Sequence, residues 1–461
     1  MTDLTIALPR CRYRVAAERT HYLCLHPAVR TRDGLVTKNV CSGCLLPSTP
    51  RASPRPVTTD MPRRLSPAGP ERDHRPRVGF VTPNLVMGGA ERWILNLLRY
   101  LDRERIALAG VALLNDAPAD LAMCLEASES APVFGGPDRT AVARSGEVSR
   151  QSPGAGPQHA PGDGTQESPD SPPVIRFGSV QEALDVLCRR CDVIVAWGSD
   201  HFSRLMAERR FAGKLVIVAH GSAPSTAQML AASTAAAHHL VGVSRASAAA
   251  FRDPRATVIH NGADPTRCAV TAPRELVRRQ WGAADGEILI GYVGRFSWEK
   301  NPLAAAQAAR EMGQGYRAVY IGGGAHEDEV KMKVRELAPE SIFVPPVEQI
   351  GDALNALEVF MLASPSEGFS LALTEAWLCG LPAVATRVGA VPELEALHGQ
   401  MVVGVPAGAS PDVLAAAARR ALSSEGRTIA ERARTVAWRH YTAQAMADRW
   451  ADYLIEVVAK A

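Results

Sequence analysis

Long apolar runs are missing from this 461-residue chain: no window approaches the roughly 18 to 20 uninterrupted apolar residues that a bilayer crossing needs. Arg10, Arg12 and Arg14 near the N-terminus are followed by no such run, so no secretory signal is expected and the cytoplasm is the expected compartment. Lysine is scarce, six of the 51 basic residues, so a lysine inside a motif is less easily read as filler than an arginine would be. A cysteine pattern that favours a disulfide framework is missing as well. The nine cysteines are odd in number and unevenly spread, four of them within the first 44 residues, which suits reduced thiols or a metal better. Nor is the chain polybasic as a whole. Residues 1–75 hold 13 Lys and Arg against 6 Asp and Glu, a tail of +7, and leave −4 for the rest of a chain whose net charge is +3. No nucleic acid is expected as a partner of the body.

What is present describes ordinary globular protein, 46% apolar and 21% charged, long enough for about three domains. Residues 47–76, rich in Pro, Ser and Arg, read as a disordered linker that sets residues 1–46 apart as a cysteine-rich module. Residues 136–173 have the same character and read as a disordered insertion inside a domain. Elsewhere short runs such as RVGFVT, CDVIVAW, KLVIVAH, EILIGYVG and EVFMLAS alternate with amphipathic helical stretches. Strands apolar on both faces, each followed by a helix, predict buried parallel sheets. The expected fold class is α/β: two doubly wound, Rossmann-like parallel-sheet domains, residues 77–270 and 271–461, with terminal helices in the second and a join near Asn261–Pro273.

In such sheets ligands collect at the carboxyl ends of the strands, so the loops after each apolar run carry the information. Gly88-Gly89, before a helix expected over Ala90–Leu101, let backbone amides approach an anion, or form a bare tight turn. Arg295 and Lys300 flank a second loop ahead of a helix at about Pro302; they read as a diphosphate clamp or as two solvated cations. In the third loop Glu367 precedes a helix start near Ser370, and Glu375 lies one to two turns inside that helix. Two carboxylates and free helix amides suit sugar hydroxyls, a diphosphate and a ribose diol; the alternatives are a capping carboxylate at Glu367 and an exposed helix charge at Glu375.

Taken together, Gly88-Gly89-Ala90-Glu91, His220-Gly221, Asn261-Gly262, Arg295 with Lys300, and Glu367-Gly368-Phe369 with Glu375 resemble the retaining nucleotide-sugar glycosyltransferases of GT-B fold, family 4 (glycosyl transferases group 1), from about Arg77 to Ala461. The resemblance implies Arg295 and Lys300 at the donor diphosphate, Glu375 on the nucleotide ribose and Glu367 at the donor hexose. It implies Phe369, Ser370 and Leu371 as amides on phosphate and sugar, His220 near the reacting carbon, Gly88 and Gly89 closing over the phosphates, and Gly323 near the base. It also implies a nucleotide-diphosphate sugar as donor, no cofactor required for catalysis, no protein nucleophile, and a glycan, lipid-linked or small-molecule acceptor, with peripheral contact at the inner membrane as a lesser reading. Pro345-Pro346 stand where many relatives carry glycine, and Trp197-Gly198 replace a frequent histidine pattern. The rival readings are a non-catalytic sugar-nucleotide-binding protein with a zinc recruitment module and a nucleotide-sugar epimerase.

Cys188 and Cys191 repeat a two-residue spacing but read as buried thiols, and the stripe Trp93, Ile94, Leu97, Leu98 and Leu101 reads as core. Within the first module Cys24, His26, Cys41 and Cys44 supply four soft ligands for tetrahedral zinc, with Cys11 as a substitute for His26; the alternative is a disordered tail. Atomic absorption on the purified full chain should find about one zinc per chain, lost in Cys41→Ser, and no bound zinc would refute the site.

Overall fold

The computed structural model describes residues 74–83, 85, 88–114, 130–133, 179–199 and 201–460, together with the backbone of 14–16, 21–24, 35–37, 134, 175–176 and 200. The three N-terminal pieces, β1 (Arg14–Ala16), β2 (His21–Cys24) and β3 (Leu35–Thr37), form a small antiparallel sheet in that order. Cys24 ends β2, whereas His26, Cys41 and Cys44 lie outside the described residues, as do the 136–173 insertion and most of the 47–76 linker.

The first large sheet is built from β4 (Arg77–Thr82), β5 (Ala107–Leu113), β6 (Val133–Phe134), β7 (Ile175–Arg176), β8 (Val193–Trp197), β9 (Lys214–Ala219), β10 (His239–Gly242) and β11 (Thr257–Val258). All its neighbours are parallel, in the order β11-β10-β9-β8-β4-β5-β6-β7. The two-residue strands β6 and β7 pair with each other, so the chain on either side of 136–173 leaves and rejoins the sheet at one edge. The second sheet holds β12 (Ile288–Val293), β13 (Tyr316–Ile321), β14 (Ile342–Val344), β15 (Val359–Leu362), β16 (Ala383–Thr386) and β17 (Val403–Val405), parallel in the order β14-β13-β12-β15-β16-β17.

Both sheets share one logic. The chain enters at a central strand, β4 or β12, winds out to one side, then crosses over and winds out to the other, which leaves a crevice where the strand order reverses. In the second sheet that crevice lies between the loops following β12 and β15, the two loops that carry Arg295, Lys300 and Glu367.

Five helices matter for the site: α1 (Gly89–Tyr100), α2 (Leu303–Met312), α3 (Leu371–Leu378), α4 (Val391–His398) and α5 (Ala443–Ala459). Helix α1 buries Trp93, Ile94, Leu97 and Leu98 against the first sheet, the stripe its 3.6-residue spacing predicts. Ala304, Ala305, Ala306, Ala308 and Ala309 are buried along α2, small side chains that let it lie close to the second sheet.

Helix α5 departs from the expected division of the chain. It is continuous in sequence with the second half but returns to pack on α1, with Trp450 edge-on to Trp93 at 5.4 Å between ring centroids. Amphipathic periodicity tells which face of a helix is buried, not what buries it. The two strands of chain that pass between the halves run side by side: the Ala263 amide donates to the Tyr441 carbonyl at 3.0 Å and the Ala443 amide to the Ala263 carbonyl at 2.7 Å. A Cβ on Gly262 would stand 2.1 Å from the Thr442 carbonyl oxygen, so only glycine permits this approach. Among the described residues no helix is long and apolar enough to cross a membrane.

Candidate active site

The loop after β12 turns on glycines. Gly294, Gly322 and Gly324 all have positive φ, and a Cβ on Gly322 would lie 2.1 Å from the Gly294 carbonyl oxygen. The Gly323 carbonyl accepts the Phe296 amide at 2.8 Å, which ties the loop after β13 to the one that carries Arg295. A short 3-10 turn, Trp298–Lys300, follows, and Asn301 adopts the left-handed conformation while its side-chain amide donates to the Ala363 carbonyl at 3.2 Å. That anchor delivers Lys300 to the end of β15.

There Lys300 Nζ donates to both carboxylate oxygens of Glu367 at 2.9 Å. With side chains 27% and 11% exposed, the pair is shielded well beyond an ordinary surface ion pair. Glu367 is therefore not a helix cap; Ser370 is, its hydroxyl accepting the Leu373 amide at 3.2 Å and leaving the first amides of α3 at the head of the crevice. Glu375 is not an exposed helix charge either. It is 8% exposed, and burial raises its carboxyl above the usual range, opposed by Arg267 and Arg92 and reinforced by Asp264. Phe369 and Leu371 are buried beside it.

The first half meets this loop directly. Gly368 is pressed on the His220 carbonyl at the end of β9, where a Cβ would come within 2.0 Å of the oxygen. The Ser222 hydroxyl donates to the Glu367 carbonyl at 2.5 Å. The His220 ring sits edge-on to Trp93 at 4.7 Å and to Trp197 at 5.6 Å, and burial pushes its pKa down to about 3, so the imidazole is neutral at physiological pH. Glu91, in the first turn of α1, is buried beside Gly88: a Cβ on that glycine would meet its carboxylate at 2.4 Å. Burial raises the Glu91 carboxyl, and the Arg295 guanidinium across the crevice pulls the other way. Arg295 itself is half exposed and lies 3.6 Å from Glu299. Gly89 is open, with nothing near its Cα where a side chain would go.

Lys300, Glu367, Gly368 and His220 thus converge, Glu375 lies behind them with Arg92 and Arg267, and Arg295 faces Glu91. Ser222, Arg267, His260 and Glu393 were not singled out by sequence reasoning. They come from three separate stretches with no spacing to relate them, and only His220-Gly221, beside Ser222, and Asn261-Gly262, beside His260, gave nearby signals. Cys191 is buried, its thiol raised to about 12 by burial. Among the described residues no group of three or more His, Cys, Asp or Glu gathers where a metal could be held.

Residues 287–424 match the family described as Glycosyl transferases group 1. The D-inositol 3-phosphate glycosyltransferase of Rhodococcus erythropolis is 31% identical over 153 residues, 28% of this chain and 35% of the relative. The GDP-mannose-dependent alpha-mannosyltransferase of Mycobacterium tuberculosis is 28% identical over 152 residues, 32% of this chain and 37% of the relative. The chain spans less than half the length of these curated relatives. The solved structure of Anabaena Alr3699/HepE in complex with UDP-glucose superposes with a TM-score of 0.64 at 18% identity, over 83% of this chain and all of that one, which establishes the shared two-sheet GT-B fold.

A neutral His220 has a consequence for stability. Its folded pKa lies below the 6.5 of the free side chain, so between pH 6.5 and about 3 the unfolded state binds a proton that the folded state does not, and stability falls as pH falls. Above pH 6.5 the residue contributes no pH dependence. In His220→Gln, urea midpoints followed from pH 7 to pH 4 should decline less steeply than in the parent; parallel declines would show that the ring titrates freely.

Proposed function

We propose that this chain, whose residues 287–424 belong to the glycosyl transferases group 1 family, moves a sugar from a nucleotide-diphosphate sugar to an acceptor hydroxyl with retention of configuration, in the synthesis of a polysaccharide, glycolipid or glycoconjugate. The observation that carries this reading is the shielded Lys300–Glu367 pair at the head of α3, with the buried Glu375 a turn and a half behind it. The half built on β12–β17 takes the donor and the half built on β4–β11 the acceptor.

In the transfer the bond from C1 to the diphosphate oxygen breaks as the bond to the acceptor oxygen forms on the same face, and the departing phosphate takes the acceptor proton. The developing charge on the diphosphate is the quantity to stabilise, and groups aimed at such charge commonly supply the largest catalytic contribution. Lys300 and Arg295 serve as its cations, and the Phe369–Leu371 amides at the N-terminus of α3 add their dipoles. When the diphosphate draws Lys300 away, Glu367 is released to accept sugar hydroxyls. Glu375 takes the ribose diol, and the shift that burial imposes on it relaxes once its oxygens are hydrogen-bonded. His220, held neutral, packs near C1 and gives no proton. Gly88 and Gly89 close over the phosphates, and Gly323 borders the base. Support for a nucleotide sugar comes from the fold neighbour solved in complex with UDP-glucose and from the GDP-mannose-dependent relative. A glycan, lipid-linked or small-molecule hydroxyl compound is the proposed acceptor and the cytoplasm the proposed setting. Zinc, if held by Cys24, His26, Cys41 and Cys44, is structural and takes no part in transfer.

Turnover of a panel of UDP-, GDP- and ADP-sugars tests the proposal. One of them should be consumed by the parent protein, and Lys300→Ala and Glu375→Ala should each lower that turnover by at least about 100-fold while the protein stays folded. Because Lys300→Ala leaves Glu367 shielded without its cation, the double variant Lys300→Ala/Glu367→Gln checks that lost stability is not the cause. Near-native turnover in both single variants would overturn the assignment, and donor binding without turnover in the parent would favour a non-catalytic binding protein.

A further inference from the structure

The two halves are also joined by a carboxylate that takes no part in the donor site. Glu393, in the first turn of α4, reaches across to the other half, where one oxygen lies 2.6 Å from His260 Nε2 and the other accepts the Arg245 backbone amide at 2.8 Å. Its side chain is only 8% exposed, so both contacts are made out of bulk water, where charge-assisted hydrogen bonds are strongest. The Arg245 guanidinium adds little: it is 78% exposed and 3.9 Å away.

Each end of this link is rooted in the candidate site. On the C-terminal side α4 is preceded by its cap residue Ala390, whose amide donates to the Gly368 carbonyl at 2.8 Å, and Gly389 packs so closely on Glu367 that a Cβ would sit 2.4 Å from its carbonyl oxygen. On the N-terminal side the His260 ring lies against Phe369 at 5.7 Å and Tyr441 at 5.8 Å, and the His260 carbonyl accepts from Arg449 at 3.0 Å. The peptide that carries Glu367 and Gly368 is thus held to the first half both through its direct contact with His220 and through Glu393.

We infer that Glu393 is a positioning residue for sugar transfer: by clamping His260 and the Arg245 amide it fixes the Glu367–Phe369 loop, and the donor carbon above it, relative to the acceptor side of the crevice. The inference rests on the proposed function for its kinetic consequence but not for the clamp itself. A carboxylate that sets one half against the other should govern the reactive alignment, where small displacements cost rate, and leave donor affinity, which rests mainly on Lys300, Glu367, Glu375 and the α3 amides of the second half, nearly untouched.

Two measurements on the full chain test it. Without any donor, amide hydrogen exchange at Arg245 and Ala390 should quicken by at least about tenfold in Glu393→Ala, with the β12 amides unchanged. With the donor that the parent consumes, Glu393→Ala should lower kcat by at least about tenfold while donor KM stays within about threefold. Glu393→Gln, whose side-chain oxygen can accept the Arg245 amide and whose amide lies in reach of His260 Nε2, should recover most of that loss. Unchanged exchange at Arg245 and Ala390 would overturn the clamp whether or not the protein is a transferase. Quickened exchange with native kcat, or a loss that falls on KM, would overturn the positioning role. If no sugar nucleotide is consumed by the parent, the proposed function fails while the exchange result still decides the clamp.

Discussion

The peptide between Glu367 and Gly368 is the point on which the two halves of this protein depend. Its side chain holds Lys300, its Glu367 carbonyl takes the Ser222 hydroxyl, Gly368 is pressed on the His220 carbonyl, and the Gly368 carbonyl receives the Ala390 amide. Four strand-end loops, from β9, β12, β15 and β16, therefore meet at one peptide unit. No side chain larger than hydrogen fits at Gly368, so the contact is one of backbone on backbone and tolerates little drift.

Electrostatics complete the picture. The crevice holds buried or shielded carboxylates, Glu91, Glu367 and Glu375, each set against a cation from a different segment: Arg295, Lys300, and Arg92 with Arg267. A site arranged this way is stable when empty because its charges are compensated. It favours a ligand that carries negative charge for the cations and hydroxyls for the carboxylates together, since either feature alone would leave one partner of a shielded pair uncompensated. A sugar diphosphate has both.

Much of this was legible in the sequence, and the reasons are specific. Buried parallel strands are continuous apolar runs, so β4, β8, β9, β12 and β15 stand out, whereas β6, β7 and β17 are two or three residues long and carry no pattern. The segment from Ser364 to Ala376 concentrates a strand end, a helix cap and two acids within thirteen residues, which is why Glu367, Ser370 and Glu375 could be singled out. The Lys300–Glu367 contact, by contrast, spans 67 positions and His260–Glu393 spans 133; such pairings follow from the order of strands in two sheets, which local periodicity does not encode. The return of α5 onto α1 was hidden for the same reason. The expected zinc ligands His26, Cys41 and Cys44 lie outside the described residues.

On the proposed function, these compensated charges exchange partners when the donor arrives. A crystal structure of the protein with the proposed sugar-nucleotide donor would show it. Lys300 Nζ should then stand within about 3 Å of a diphosphate oxygen and Glu367 should be turned to the sugar hydroxyls, with Glu375 on the ribose. A diphosphate bound elsewhere, with Lys300 still paired to Glu367 as it is here, would contradict it.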